Sequence, residues 1–331
     1  MMRFVHAVRA RFVTCLLAAT IAVGFVGPSF AQEWPTRQAV KIIVPFGPGS
    51  TPDLVARLMA DHFQKTFGQT FVVENKPGAG GNRGTDAVAK AEPDGYTIGV
   101  SIGGPLGINA ILFGNLPYDP AKDFAFISLL VTQPSALAVN TALGVSSVSE
   151  LIALLKQNPG KYNYASVGNG SLSQLAMEAI RLASGTEITH IPYQSSPAAV
   201  TALIQNDAQM ACLPAISITP LVATKPVRIL AVSTAKRSPF LPDVPTLMEQ
   251  GIDVEAEAWS GLIAPAATPD PIVQKLRAAT AEALAVPAVR EKLATQLMDP
   301  IPSDAAQFRA RIEADLARWA PVIREAKIQV N

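Results

Sequence analysis

The chain has 331 residues, 49% of them hydrophobic and 16% charged, with 27 basic and 26 acidic residues. That balance supplies well-formed cores and excludes a disordered chain, and the length allows about two domains. There is no run of Lys and Arg, so nucleic acid, whose phosphates demand clustered cations, is excluded as a partner.

Residues 1–31 read as a secretory signal. Arg3, Arg9 and Arg11 form a basic start, Phe12 to Val26 is an apolar run too short for a membrane span, and Ser29-Phe30-Ala31 offers small residues for cleavage after Ala31. Cys15 lies mid-run without a lipoprotein-like lead. Removing the signal leaves 24 basic and 26 acidic residues, a net charge of −2, and one cysteine, Cys212. No disulfide framework is possible, and Cys212 reads as a buried, inert thiol on a strand. No second long apolar run follows, so nothing after the signal is expected to span a membrane.

Strands and helices then alternate. Val40 to Pro45 is a β-rich run, and Asp53 to Thr66 has helical spacing of its apolar residues. Phe71 to Glu74 reads as a strand, Thr85 to Ala91 as helix-like, and Tyr96 to Val100 and Phe126 to Val131 as strands. A helix over Val148 to Gln157 opens at Ser149 and ends before Pro159-Gly160. Tyr164 to Val167 is a strand, and Leu172 to Ser184 is an apolar helix stopped at Gly185. Strand Thr189 to Pro192, helix Ala198 to Gln205 and strand Gln209 to Leu213 repeat the unit, and Val227 to Ser233 is another short strand. From Asp270 onward the chain reads as mostly helical: Pro271 to Leu284, Pro287 to Leu297 and Asp304 to Ala326. The alternation points to α/β domains with mostly parallel sheets.

Three loop-to-helix junctions are candidate binding positions. In the first, Pro45 to Asp53, Pro52 suits a first helical turn and Thr51 could cap it. The second runs from Ser166 through Gly168, Gly170 and Ser171 to Gln174. The third is a Ser-Pro helix start at Ser195 to Ala198, with Tyr193 as a wall or lid. Each alone is an ordinary helix cap. Three at strand C-terminal ends coincide with where open α/β folds bind ligands, and helix N-termini favour anions. The glycines at 78, 80, 81 and 84 do not make a dinucleotide fingerprint, because Arg83 stands where the third glycine would be needed. They read instead as a turn-rich loop with positive φ angles. No metal motif is present, and neither His62 nor His190 has a Ser, Cys or metal partner nearby in sequence. Catalytic residues, cofactor and metal are therefore not expected.

The stretch Val73 to Thr97, VENKPGAGGNRGTDAVAKAEPDGYT, resembles a hallmark of the tripartite tricarboxylate transporter solute receptors, the Bug family. The resemblance covers nearly the whole chain after the signal. It includes Val44-Pro45-Phe46 with Gly49 and Asp53, Pro117-Tyr118-Asp119, Ile191-Pro192-Tyr193, Arg237-Ser238-Pro239, Pro242 to Thr246, and Trp259 with Ala264-Pro265. It implies a two-lobe α/β periplasmic-binding-protein fold of the Venus-flytrap, type II-like kind, with a ligand cleft between the lobes. On that pattern residues 32–131 plus 256–331 form lobe 1 and 132–255 form lobe 2. The linkers near Thr132-Gln133-Pro134 and Glu255 to Trp259 are the hinge. It further implies a monomeric periplasmic receptor that captures a small mono-, di- or tricarboxylate and passes it to membrane permease subunits.

Expected ligand residues are Gly49, Ser50, Thr51, Asp53, Ser166, Gly168, Gly170, Ser171, Gln174, Tyr193 and Ser195. Neither main junction contains Arg or Lys, so the anion is expected on backbone N–H groups and hydroxyls, with Arg83 the rival cation. The chain departs from the family pattern near this cleft. Ser50 stands where most relatives have a second Gly, Gln174 where they have His, Ser195 where they have Gly, and Ala202 where Asp is frequent. A sensor that presents ligand to a signalling partner and an enzyme on a similar scaffold stay open as alternatives.

Overall fold

The structure, a computed structural model, describes residues 34–330. Contacts separate a leading segment ending at Arg37 from a body that starts at Gln38, and the body carries every element named below. The expected signal and its cleavage position lie outside the described residues. Among the described residues no helix is long and apolar enough to cross a membrane.

Strand β1 (Val40–Val44) buries four of its five residues and leaves only Lys41 out, as a central parallel strand must. Helix α1 (Thr51–Phe67) carries Pro52 in its first turn. It ends at Gly68, whose left-handed φ of 67° lets its N–H bond Gln64 O. Val55, Met59 and Phe63 recur at helical spacing on its buried face, and Phe63 meets Phe71 of β2 (Phe71–Asn75) with ring centroids 5.3 Å apart. Helix α2 (Asn82–Ala89) and strand β3 (Thr97–Ile102) follow. β1 lies between β2 and β3, parallel to both. A π-type turn (Gly104–Ile108) then leads into the single-turn helix α3 (Asn109–Leu112).

The next strand, β4 (Phe124–Asn140), runs for 17 residues. Up to Pro134 it pairs with β9 (Glu257–Pro265); from Ser135 onward it pairs with β7 (Met210–Pro214) on one edge and β8 (Val227–Val232) on the other. The strand expected at Phe126 to Val131 is thus only its first part. The second sheet is completed by β5 (Asn163–Ser166) and β6 (Thr189–Pro192), parallel to each other, with β5 also parallel to β7. Helix α4 (Val148–Gln157) is capped by Ser147, whose Oγ accepts from Glu150 N, rather than by Ser149. Helix α5 (Leu172–Ser184) is capped at both ends by local residues, Ser171 and Gly185. Helix α6 (Ser196–Gln205) follows β6. The C-terminal part holds α7 (Asp270–Ala285), α8 (Pro287–Ala294), the two-residue β10 (Asp299–Pro300) on β4, and α9 (Ala305–Glu325).

One feature departs from the sequence reading. The sheets are parallel only within β1–β3 and β5–β7; every pairing of β4 and β9 is antiparallel. The stretches expected as the hinge lie where the two crossing strands pair: Thr132 with Trp259, Gln133 with Ala258 and Pro134 with Glu257. The helix α9 bridges both cores. Phe308 and Ile312 pack with Ile43, Phe126 and Trp259, whereas Trp319 and Ile323 pack with Leu151, Tyr164 and Leu175. Cys212 is fully buried, and burial pushes its thiol up to about 12.

The glycine-rich stretch is a packing device. Gly78, Gly80 and Gly81 have φ of +134°, +61° and +94°. Gly84 has no such need; a Cβ there would sit 2.5 Å from Pro45 Cα and 2.8 Å from Lys76 O. Gly84→Ala is therefore expected to cost about 1–3 kcal/mol by overpacking, while Gly114→Ala, with nothing within 4 Å, is expected to cost little. Denaturant midpoints of the two variants measure the difference; equal midpoints would contradict it.

Candidate ligand site

Strand direction decides where the loops go. β1–β3 run with β4, because β3 is antiparallel to β9 and β9 to β4. β5–β7 run against β4. Since β4 passes from the first sheet into the second, the C-terminal ends of β1–β3 point toward the second sheet and those of β5–β7 toward the first. The loops after β1 and β5 therefore emerge on the two edges that face the crossover, where α/β folds bind ligands.

Both loops are built by one local rule. Each places a left-handed glycine, then a serine N-cap, then a polar side chain at the third helical position that receives the glycine's N–H. In the first loop Gly49 (φ +80°) precedes Ser50 (φ −70°, ψ 157°), and Gly49 N donates to Asp53 Oδ2 at 2.9 Å. In the second, Gly170 (φ +73°) precedes Ser171 (φ −69°, ψ 155°), and Gly170 N donates to Gln174 Oε1 at 2.7 Å. The first-turn N–H groups of α1 and α5 have no intrahelical acceptors, and each helix dipole adds partial positive charge there. This arrangement suits an anion without any cationic side chain.

The supports differ. Asp53 is 2% exposed. Its Oδ2 also accepts from Arg57 Nε at 3.0 Å, and its Oδ1 accepts from Arg57 Nη2 at 3.0 Å and Asn75 Nδ2 at 2.9 Å. Burial alone would raise this carboxyl, but the bonds from Arg57, Gly49 and Asn75 outweigh it and hold it below the usual range. Asn75 also donates to Phe46 O at 2.8 Å, tying β2 to the loop. Thr51 Oγ1 donates to Gln133 Oε1 at 3.2 Å, and Gln133 Nε2 donates to Gln296 O at 2.9 Å, so the loop is anchored beside the point where β4 changes partners. Ser50 makes no capping bond, and its buried Oγ has no hydrogen-bond partner among the described residues.

In the second loop a histidine replaces the charged pair. Gln174 Oε1 is committed to Gly170 N–H, so its Nε2 donates to His190 Nδ1 at 3.1 Å. His190 Nε2 then carries the ring proton and donates to Ser166 Oγ at 2.6 Å. Ser166 Oγ also accepts from Gly168 N at 3.1 Å and donates to Gly168 O at 3.2 Å, which uses its one proton and both lone pairs. Ser166 is fully buried. It braces the loop rather than presenting a nucleophile. Ser171 Oγ donates to Gly168 O at 2.6 Å and caps Gln174 N. The His190 ring stacks on Tyr164 (4.9 Å, 22°), whose hydroxyl donates to Glu178 Oε1 at 2.6 Å, while Glu178 Oε2 accepts from Arg181 Nε. Burial lowers the His190 pKa, with Glu178 opposing.

Of the expected residues, Gly49, Ser50, Thr51 and Asp53 are brought together in the first loop, and Ser166, Gly168, Gly170, Ser171 and Gln174 in the second. Tyr193 joins the second through its N–H to Ser166 O at 3.0 Å. Ser195 caps α6 at an exposed position. Among the described residues no hydrogen bond links one loop to the other. The polar atoms of Asp53 and Gln174 are engaged inside their loops. Four supporting residues escaped the sequence reading: Arg57, Asn75, Gln133 and His190. Only Arg57, one helical turn from Asp53, had a local signal. The rest arrive through strand pairing.

Comparison with known proteins agrees with this architecture. Residues 55–328 match the family described as Tripartite tricarboxylate transporter family receptor. The chain is 35% identical to the protein BugT of Bordetella pertussis, over 91% of this chain and 93% of that one. It superposes on the structure of R. palustris Rpa4515 with adipate at a TM-score of 0.79 and 34% identity, covering 90% of this chain and 99% of that one. MatC from Rhodopseudomonas palustris with bound malate matches at a TM-score of 0.74 and 31% identity, covering 87% and 99%. These likenesses give the fold as the two-lobe α/β arrangement of periplasmic binding proteins. The chain belongs to the tripartite tricarboxylate transporter receptor family of periplasmic solute-binding proteins.

Proposed function

We propose that this chain is a monomeric periplasmic receptor that captures a small carboxylate and delivers it, unaltered, to the permease subunits of a tripartite tricarboxylate-type transporter. The observation that carries this reading is the matched pair of Gly-Ser helix caps on the two edges that face the β4 crossover. Similar proteins solved with adipate and malate support a carboxylate as the ligand class.

The carboxylate sits against first-turn N–H groups of α1 and α5, with Ser50 Oγ and bridging water completing its shell. Residues 46–53 and 166–174 contain no Arg or Lys, so no salt bridge from these loops takes part. The Arg57 guanidinium is spent on Asp53. Arg83 is an exposed residue in the first turn of α2. The closing units are residues 32–131 with 256–331, apart from the last turns of α9, which pack on the second core, and residues 132–255; the β4–β9 ribbon joins them. The engaged and buried Ser166 supports binding without turnover.

Native mass spectrometry of the protein from periplasm identifies the carboxylate that travels with it. The same spectra are expected to show a mature chain starting at Gln32; a full-length chain in the inner membrane would contradict secretion. With adipate or malate as probe, calorimetry on Ser50→Ala is expected to show roughly 10- to 150-fold weaker binding, the size of one hydrogen bond to a charged group. Because Ser50 Oγ holds no bond in the fold, the melting midpoint should not move. Arg83→Ala should bind as wild type. A silent Ser50→Ala beside an inactive Arg83→Ala would overturn the helix-cap reading. X-ray scattering should show a smaller radius of gyration at saturating ligand, as lobes close; an unchanged radius argues against closure.

A further inference from the structure

The two loops share a glycine, a serine cap and a receiving side chain, yet differ in what holds that side chain. In the first it is Asp53, fixed by Arg57 and Asn75. In the second it is the amide of Gln174, fixed by His190. We propose that His190 is a positioning residue for the second loop: as a neutral ring protonated on Nε2 it fixes the Gln174 amide so that Oε1 receives Gly170 N–H, and protonation of Nδ1 releases that loop while leaving the first one intact.

The hydrogen bonds form one directed chain from Gly170 N–H to Gln174, from Gln174 to His190, from His190 to Ser166 and from Ser166 to Gly168 O. Only one arrangement of protons fits it. A proton added at Nδ1 would point at the NH2 of Gln174. Two donors cannot share that contact, so the amide must turn and offer Oε1 to the ring, which takes the acceptor away from Gly170 N–H. Gly170 is then free of the bond that sets its left-handed turn just before the Ser171 cap.

The surroundings favour the neutral ring. β6 is the edge of its sheet and pairs only with β5. The titratable or charged groups acting on the ring are Tyr164 from β5, which stacks on it, and Glu178 from α5, which is itself bonded to Arg181. Glu178 is already bonded to Tyr164 and Arg181, and burial outweighs its pull on the ring. The folded pKa lies below the ordinary 6.5. The ordered loop is therefore fully present above about pH 6.5 and is lost as pH falls through the lower, folded value. The first loop contains no group that titrates in that window.

The positioning claim needs no ligand; its effect on affinity rests on the reading of this loop as a carboxylate site. Nitrogen-15 spectra of the ligand-free protein at pH 8 should show His190 as the Nε2–H tautomer. On acidification the Gly170 amide resonance should move with the His190 titration, while the Gly49 amide stays. An Nδ1–H tautomer, or a Gly170 amide that ignores the His190 titration, overturns the proposal. His190→Asn, which keeps an acceptor near Nδ1, should keep the Gly170 resonance and lose its pH dependence. His190→Leu should show the released resonance at every pH; if it fails to fold, the wild-type titration decides. With adipate as probe, wild type should lose roughly 2- to 10-fold more affinity than His190→Asn between pH 7.5 and a pH below the His190 midpoint read from those spectra, the size of one neutral hydrogen bond. Because both proteins meet the same ionisation of adipate, only the difference counts. A moving Gly170 resonance with equal losses would sustain the positioning role and reject the loop as the carboxylate site.

Discussion

β4 is long enough to belong to two sheets, and its 17 residues span roughly 55 Å. Its exchange of partners between Pro134 and Ser135 imposes a direction on everything attached to it. Strands on one side must run with it and those on the other against it, so both sets of C-terminal ends converge. The loops after β1 and β5 meet the crossover for that reason, before any side chain is considered. Burial follows the same constraint: all but one residue of β4 lie out of solvent, since helices cover it along both halves.

The crossover is also where charge is drawn partly out of solvent, around the buried Asp315. Glu255, Glu257 and Trp259 alternate along one face of the second crossing segment and meet Arg311, Asp315 and Arg318 of α9. Arg318 reaches Glu255 at 2.7 Å, Arg311 reaches Glu257 at 3.4 Å, and Trp259 Nε1 donates to Asp315 Oδ2 at 2.7 Å. Burial raises the carboxyls of Glu257 and Asp315 despite the arginines beside them. A network of this kind adds little net stability compared with apolar packing, but removing one member leaves another charge unpaired. Its effect is to hold α9 in one register on the ribbon that joins the two cores.

The two candidate loops show how one backbone solution accepts different chemistry. Left-handed glycine, serine at the N-cap and a bent-back side chain give the same turn into the helix whether that side chain is a carboxylate held by arginine or an amide held by histidine. The glycine-rich stretch serves the same end indirectly. Gly81 and Gly84 leave room for Phe46 and Pro45, and Asn82 accepts from Asn109 and Tyr118, so the segment buttresses the first loop from behind. The turn-rich glycine loop read from the sequence is mostly a matter of close packing.

Much was legible in the sequence where the cause is local. The helix over Leu172–Ser184 has its expected bounds, because Ser171 and Gly185 stop it by their own dihedral angles. The alternation of β1–α1–β2 and β5–α5–β6, the positive-φ glycines at 78, 80 and 81, and the buried Cys212 follow in the same way from short-range sterics and hydrophobic burial. β9 was not legible as a strand: Trp259-Ser260-Gly261-Leu262 is buried on both faces and lacks alternation, and only Glu255 to Trp259 was read there, as part of the hinge. Nor was the pairing of Ser166 with His190, 24 residues apart, which exists only because β5 and β6 align Tyr164 with His190. The sequence by itself determined the helix ends that a local cap sets, as at Ser171 and Gly185, and that the two candidate loops would carry no cation. The tertiary structure alone decided which polar atoms are left to meet a ligand, because Asp53, Gln174 and Ser166 are claimed by partners that long-range strand pairing and burial bring to them.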